Sequence, residues 1–236
     1  MNQNNAHGPK TEPDVSEPSD SDAPASTTEK LSVSFKLFRP TIVKQTQLEN
    51  TLRRAKKVFD RHRHFLNKQS DDGDDPPTVS HLHDELYSTM RNNYPSLPSG
   101  VVQTARDQAL EQYKSLQKTG GMCRFSQTHL KPMRIDQRTF SIEKSRETSF
   151  RYVAKISTVD GQKTIPIQLG KYQRTFLEND DYEMKSGYLQ PIQKKEDGVK
   201  QIQWYLNVTF EVECTLPKEE QFEHYIGVDL NLDPLA

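Results

Sequence analysis

The chain has 236 residues, of which 32% are hydrophobic, and its 32 basic and 33 acidic side chains leave a net charge of -1. That length allows one or two domains, and the sparse apolar content puts part of the chain outside any core. The near-neutral balance excludes a uniformly basic nucleic-acid binder. The average conceals a split: residues 1–30 hold two lysines against six acids, a net of -4, so the rest carries +3. No apolar run approaches the ~18 residues of a membrane span, and the acidic start is unlike a signal peptide. The expected location is cytoplasmic. Cys123 and Cys214, the two cysteines, lack the C-x-x-C spacing of a zinc ribbon. Two buried thiols are the default reading and a disulfide between them the alternative.

Residues 1–30 contain Val15 as their one branched aliphatic before Leu31, so they cannot offset their ordering entropy and are expected to be disordered. Leu31-Ser32-Val33-Ser34-Phe35-Lys36-Leu37 alternates apolar and polar residues and predicts a half-buried strand. Pro40-Thr41 opens a helix in which Leu48, Leu52, Ala55, Phe59 and Leu66 share one stripe, to about Asn67. Its other faces carry Arg53, Arg54, Lys56, Lys57, Arg61 and Arg63, with Asp60 opposing. Such a face is either a solvated helix surface or a phosphate-contacting one, and the excess of one sign is the footprint of the second.

Asp71-Asp72-Gly73-Asp74-Asp75-Pro76-Pro77 reads as an acidic linker, without the ligand spacing of a calcium loop. A second helix follows from Ser80 with Leu82, Leu86 and Met90 on one stripe, ended by Tyr94-Pro95-Ser96-Leu97-Pro98. Ser99 offers a cap to a third, with Val102, Ala105, Ala109, Tyr113 and Leu116 inward and Gly120-Gly121 as its stop. His81 and His83, two apart on a helix, point to different faces and predict a surface role.

Beyond Gly121 the pattern turns to β. Strands are predicted over 138–142, 150–156 and 164–169, with Asp160-Gly161 as a turn and Pro166 demoting the third strand to an edge or bulge. Glu196-Asp197-Gly198 precedes the strongest strand, 203–214, in which Trp204, Leu206, Val208, Phe210, Val212 and Cys214 share a face. Short strands separated by turns predict a small barrel or twisted sheet. The chain then runs Tyr225-Ile226-Gly227-Val228-Asp229-Leu230-Asn231-Leu232-Asp233-Pro234-Leu235-Ala236. An apolar run of this kind suits a buried strand, and an acid within it is costly unless a metal or donor neutralises it. Asp229 is therefore a functional carboxylate or a strand-end residue facing water. A Gly-Asp-Leu-Gly ATPase strand is the weaker parallel, because no Gly-Thr-rich phosphate loop follows.

The order of strand, three helices, β-strands and Gly-Val-Asp-Leu strand resembles the N-terminal half of the OrfB/TnpB family. These are transposon-encoded nucleases of small insertion sequences, related to type V CRISPR effectors. The likeness covers about residues 31–236. It is carried by Leu86-Tyr87, by Tyr94-Pro95-Ser96-Leu97-Pro98-Ser99 and by Ala109 through Tyr113-Lys114-Ser115. Met133-Arg134-Ile135-Asp136, Arg138-Thr139-Phe140-Ser141-Ile142, Trp204-Tyr205-Leu206-Asn207-Val208 and the terminal motif complete it.

The resemblance implies an α+β fold: a small oligonucleotide-binding, wedge-like β-barrel (31–40 and 119–217) split by a three-helix insertion (41–118). The first strand of an RNase H-like RuvC domain (218–236) would follow. It implies guide RNA and target or transposon-end DNA as partners, and an Mg2+-dependent, RNA-guided DNA endonuclease. Asp229 matches the first catalytic, metal-binding acid. Asn231 stands where the family usually has Gly. The later Glu and Asp of the metal site and the four-cysteine zinc element do not occur before Ala236. The expectation is thus a transposase-type nuclease portion that binds nucleic acid through Arg53, Arg54, Lys56, Lys57, Arg61 and Arg63. By itself it neither cuts nor holds Mg2+ tightly, unless another chain supplies the remaining acids. A stand-alone nucleic-acid-binding module, or the remnant of a disrupted transposase gene, is the alternative.

Overall fold

The computed structural model describes residues 26–71, 77–119, 130–146, 149–196 and 199–215. Residues 29–212 form one compact unit. The terminal motif around Asp229, most of the acidic tail and Cys123 lie outside the described residues.

Strand β1 (Ser26–Leu37) leads through Arg39, a residue at φ 40°, into helix α1 (Ile42–Asp71). The Thr41 carbonyl accepts from the Gln45 N–H at 2.9 Å, and its hydroxyl accepts from the Lys44 N–H at 3.4 Å. The second contact occupies a first-turn amide that no helical carbonyl can reach. Helix α2 (Val79–Asn93) starts at Thr78, whose side chain accepts from the His81 N–H. Helix α3 (Ser99–Thr119) starts on the Pro98 carbonyl, which takes the Val101 and Val102 amides. The apolar stripes behave as their spacing dictates: Leu48, Leu52, Leu66, Leu82 and Val102 are all fully buried, as is Leu97 in the α2–α3 connection. Helix α3 packs on α1, α2 and the next strand.

After the helices come β2 (Met133–Ile135), β3 (Phe140–Lys144), β4 (Tyr152–Thr158), β5 (Gly161–Gln168), helix α4 (Lys171–Glu178), β6 (Glu183–Glu196) and β7 (Val199–Thr215). The strands form one seven-stranded sheet in the order β2-β6-β7-β1-β5-β4-β3. The β2–β6, β6–β7, β1–β5, β5–β4 and β4–β3 pairings are antiparallel. The two edge strands, β2 and β3, are joined by four residues, 136–139. Laid flat, six inter-strand gaps would hold those edges ~29 Å apart, whereas the linking chain reaches at most ~18 Å. The sheet must therefore curl, and its inner face becomes the core. Phe35, Ile135, Ile156, Ile165, Leu189, Trp204, Leu206 and Val208 on that face are fully buried. Each large apolar side chain there contributes about 1.5–3 kcal/mol relative to exposure.

The α+β class and the curled sheet thus match the expectation, and several details do not. Pro166 was expected at an edge or a bulge, yet β5 lies between β1 and β4. It is tolerated because its N-side faces the point where β1 leaves the sheet: the ladder ends at Leu37↔Ile167, and the Pro166 carbonyl accepts from the Phe38 N–H at 2.7 Å. Arg138 and Thr139 belong to the β2–β3 turn and not to a strand. Strands β2 and β6 and helix α4 had no counterpart in the sequence reading. Strand β6 carries a register shift between Met184 and Gly187. At Gly187 a Cβ would come within 2.1 Å of the Asn207 carbonyl, so only glycine allows β7 to approach.

Candidate nucleic-acid interface

Helix α1 is anchored to the sheet by Thr51, whose hydroxyl accepts from the Val159 N–H at 3.0 Å and donates to the Gln47 carbonyl. Lys44 reaches the Thr164 carbonyl at 2.7 Å. With Leu52 and Ala55 buried, the helix must turn Glu49, Arg53, Lys56, Lys57 and Asp60 the other way, since positions three and four apart share a face. That face forms one wall of an open groove of about 950 Å³. The opposite wall is Gln190, Pro191, Ile192 and Gln193 of β6, with Ile202 of β7. Among the described residues this stretch of β6 is an edge, because β2 pairs only as far as Met133↔Leu189. Leu52 and Leu130 add apolar lining, and Lys131 closes one side.

The charges on these walls differ in their engagement. Lys56 is ion-paired with Asp60 at 2.5 Å. Lys131 sits 3.2 Å above the Phe59 ring and donates to Gln112 Oε1. Arg53 and Lys57 are exposed and make no ion pair among the described residues. Glu49, which the count of opposing acids left aside, also lines the groove. Four cations against two acids, one already neutralised by Lys56, leave the groove positive.

The six cations read from the sequence therefore do not form one surface. Arg53, Lys56 and Lys57 come together in the groove. Arg54, about 100° further round the helix, donates to the Ser96 hydroxyl in the α2–α3 connection. Arg61, seven residues from Arg54, is exposed on that adjoining face. Arg63 was expected at the surface and is only 5% exposed. Its guanidinium lies 5.8 Å from the Phe59 ring centre and 4.0 Å from Asp60, so it serves packing. His81 and His83 have separate neighbours: His81 meets Gln69, and His83 stacks on Tyr87 and meets Arg106.

A second concentration of charge joins α3 to the β2–β3 turn. Asp107 receives Arg106 through Nε (2.9 Å) and a terminal nitrogen (2.6 Å) on one oxygen, and Arg138 at 3.0 Å on the other. Arg138 also binds Asp136 and Gln103. The hydrogen bond to Asp136, then that to Asp107, holds the Arg138 guanidinium above its usual range. Beside this cluster His62 is 1% exposed, its Nδ1 2.9 Å from the Val58 carbonyl. Burial pushes its pKa below the ordinary 6.5; the Val58 hydrogen bond opposes, Arg106 lowers further and Asp107 raises. The sequence reading passed over this cluster, since its members are spread over three elements.

Among the described residues no three His, Cys, Asp or Glu side chains come together as a metal site, and Asp229 is not among them. No described helix is long and apolar enough to cross a membrane. No family model and no curated protein matches the chain.

Proposed function

We propose that this chain binds nucleic acid along the groove between α1 and the free edge of β6, as the nucleic-acid-binding portion of an RNA-guided nuclease of the OrfB/TnpB type. The observation that carries the reading is the pair of exposed cations Arg53 and Lys57, without an ion pair among the described residues, on one wall of a net-positive groove with apolar lining. Such a wall lowers the energy of a phosphate chain by counterion release and by field focusing in a cleft. The family assignment rests on the sequence resemblance, with guide RNA and target or transposon-end DNA as the partners it implies. In this reading the curled sheet is the oligonucleotide-binding barrel, and the helices between β1 and β2 are its insertion.

Metal-dependent cleavage would need several carboxylates to hold two dications in line. In this reading Asp229 is one of them, and binding is the role proposed for the described residues. Asp229→Ala leaves that binding intact.

The test is fluorescence anisotropy with labelled RNA and DNA oligonucleotides. Arg53→Glu with Lys57→Glu abolishes binding, while Arg54→Gln with Arg61→Gln on the adjoining face leaves it largely intact. The opposite ranking would move the interface to the α2–α3 side.

A further inference from the structure

Strand alternation sends Trp204, Leu206 and Val208 into the core, so Gln203, Tyr205 and Asn207 stand on the outer face of β7. The ladder places Tyr188 opposite Asn207 and Gln190 opposite Tyr205. Tyr188 is 38% exposed, one of the few large apolar groups so open to solvent, and Tyr205 is half-buried. The two tyrosines are diagonal neighbours across the ladder, about 7 Å apart at the backbone. Asn207 Nδ2 donates to Gln190 Oε1 at 2.6 Å, which leaves the Gln190 amide hydrogens and the Asn207 carbonyl oxygen as a donor and an acceptor. The Tyr205 hydroxyl donates to Gln203 Oε1 at 2.9 Å, which fixes its ring. Arg134, opposite Tyr188, is ion-paired with Glu111, so that acid is compensated beside the rings.

We infer that Tyr188 and Tyr205, with Gln190 and Asn207, form a platform on which unpaired bases of single-stranded nucleic acid stack. The inference rests on the nucleic-acid reading above and deepens it. Charge complementarity selects the occupant: Gln190 belongs both to this face and to the cationic groove. A strand whose phosphates follow Arg53 and Lys57 can therefore lay its bases over the rings. Aromatic faces take any base, and the two amides can meet base edges. A duplex, whose bases already stack on one another, has no face to offer the platform.

The test compares a labelled single-stranded oligonucleotide, as RNA and as DNA, with a duplex of the same sequence. Tyr188→Ala and Tyr205→Ala each weaken single-strand binding about tenfold and leave duplex binding unchanged. Tyr188→Phe retains affinity. Tyr188→Leu, which keeps apolar bulk without a π face, loses it and guards against a misfolded Ala variant. Single-strand affinity unaltered by the Ala and Leu variants would overturn this inference while the groove reading stands. A wild-type chain that binds neither probe would overturn both.

Discussion

The outward face of α1 and the Arg106–Asp107–Arg138 cluster are both rich in arginine, and they use it in opposite ways. In the cluster every guanidinium has an acid within 3.0 Å, so its charge is consumed in joining α3 to the β2–β3 turn. On α1, Arg53 and Lys57 have no such acid among the described residues, and both side chains are exposed. A surplus of cations in a sequence thus becomes a binding surface only where the fold withholds the counter-charges. Helix α1 contains both cases within eleven residues, since Arg63 lies against Phe59 while Arg53 lines the groove.

The sharpest way to break this contrast is to remove Asp107. Asp107→Ala leaves Arg106, whose side chain is 10% exposed, without its acid and deprives Arg138 of one of two. The expected loss is about 2–3 kcal/mol, between the values for exposed and buried pairs, read as a lowered denaturation midpoint with nucleic-acid affinity retained in the folded fraction.

A smaller effect concerns His62. Because burial holds its pKa below 6.5 in the folded chain, the unfolded chain binds the extra proton first as pH falls. Its contribution to stability is present above pH 6.5 and is lost progressively below it. His62→Gln should flatten that acid limb of a midpoint-against-pH curve; an unchanged limb would assign the acid sensitivity to other groups. Smaller still is Arg54→Ala, which removes the hydrogen bond to Ser96 and should cost about 1 kcal/mol with binding unaffected. If binding fell as much as stability, the division of α1 into separate faces would be wrong.

The parts of the fold written in apolar periodicity were legible in the sequence. Leu48, Leu52 and Ala55 announced α1, and Trp204, Leu206, Val208 and Phe210 announced β7, because a buried stripe leaves a repeat that needs no partner to be seen. Strand β6 left no such trace. It holds Gly187 at a register shift and Pro191 on a free edge, and both residues argue locally against a strand. Pairing with β7 over Glu196↔Val199 to Gly187↔Val208, and with β2 over Gly187 to Leu189, makes it one. Half of the groove was therefore invisible, since its second wall is β6. The charge count on α1 gave Arg54 and Arg63 the same standing as Arg53. Their partners, Ser96 and the Phe59 ring, are set by packing and not by sequence spacing alone.

The central claim, that exposed and unpaired cations on α1 contact phosphates, is tested most directly by the dependence of nucleic-acid affinity on salt. Each phosphate contact contributes about 0.7–0.9 to the slope of log affinity against log salt. Replacing Arg53 and Lys57 together with Gln should flatten that slope by about 1.4–1.8. Stability should stay within about 0.5 kcal/mol of wild type, since neither side chain has an ion pair to lose among the described residues. An unchanged slope in a chain that binds nucleic acid would contradict the account.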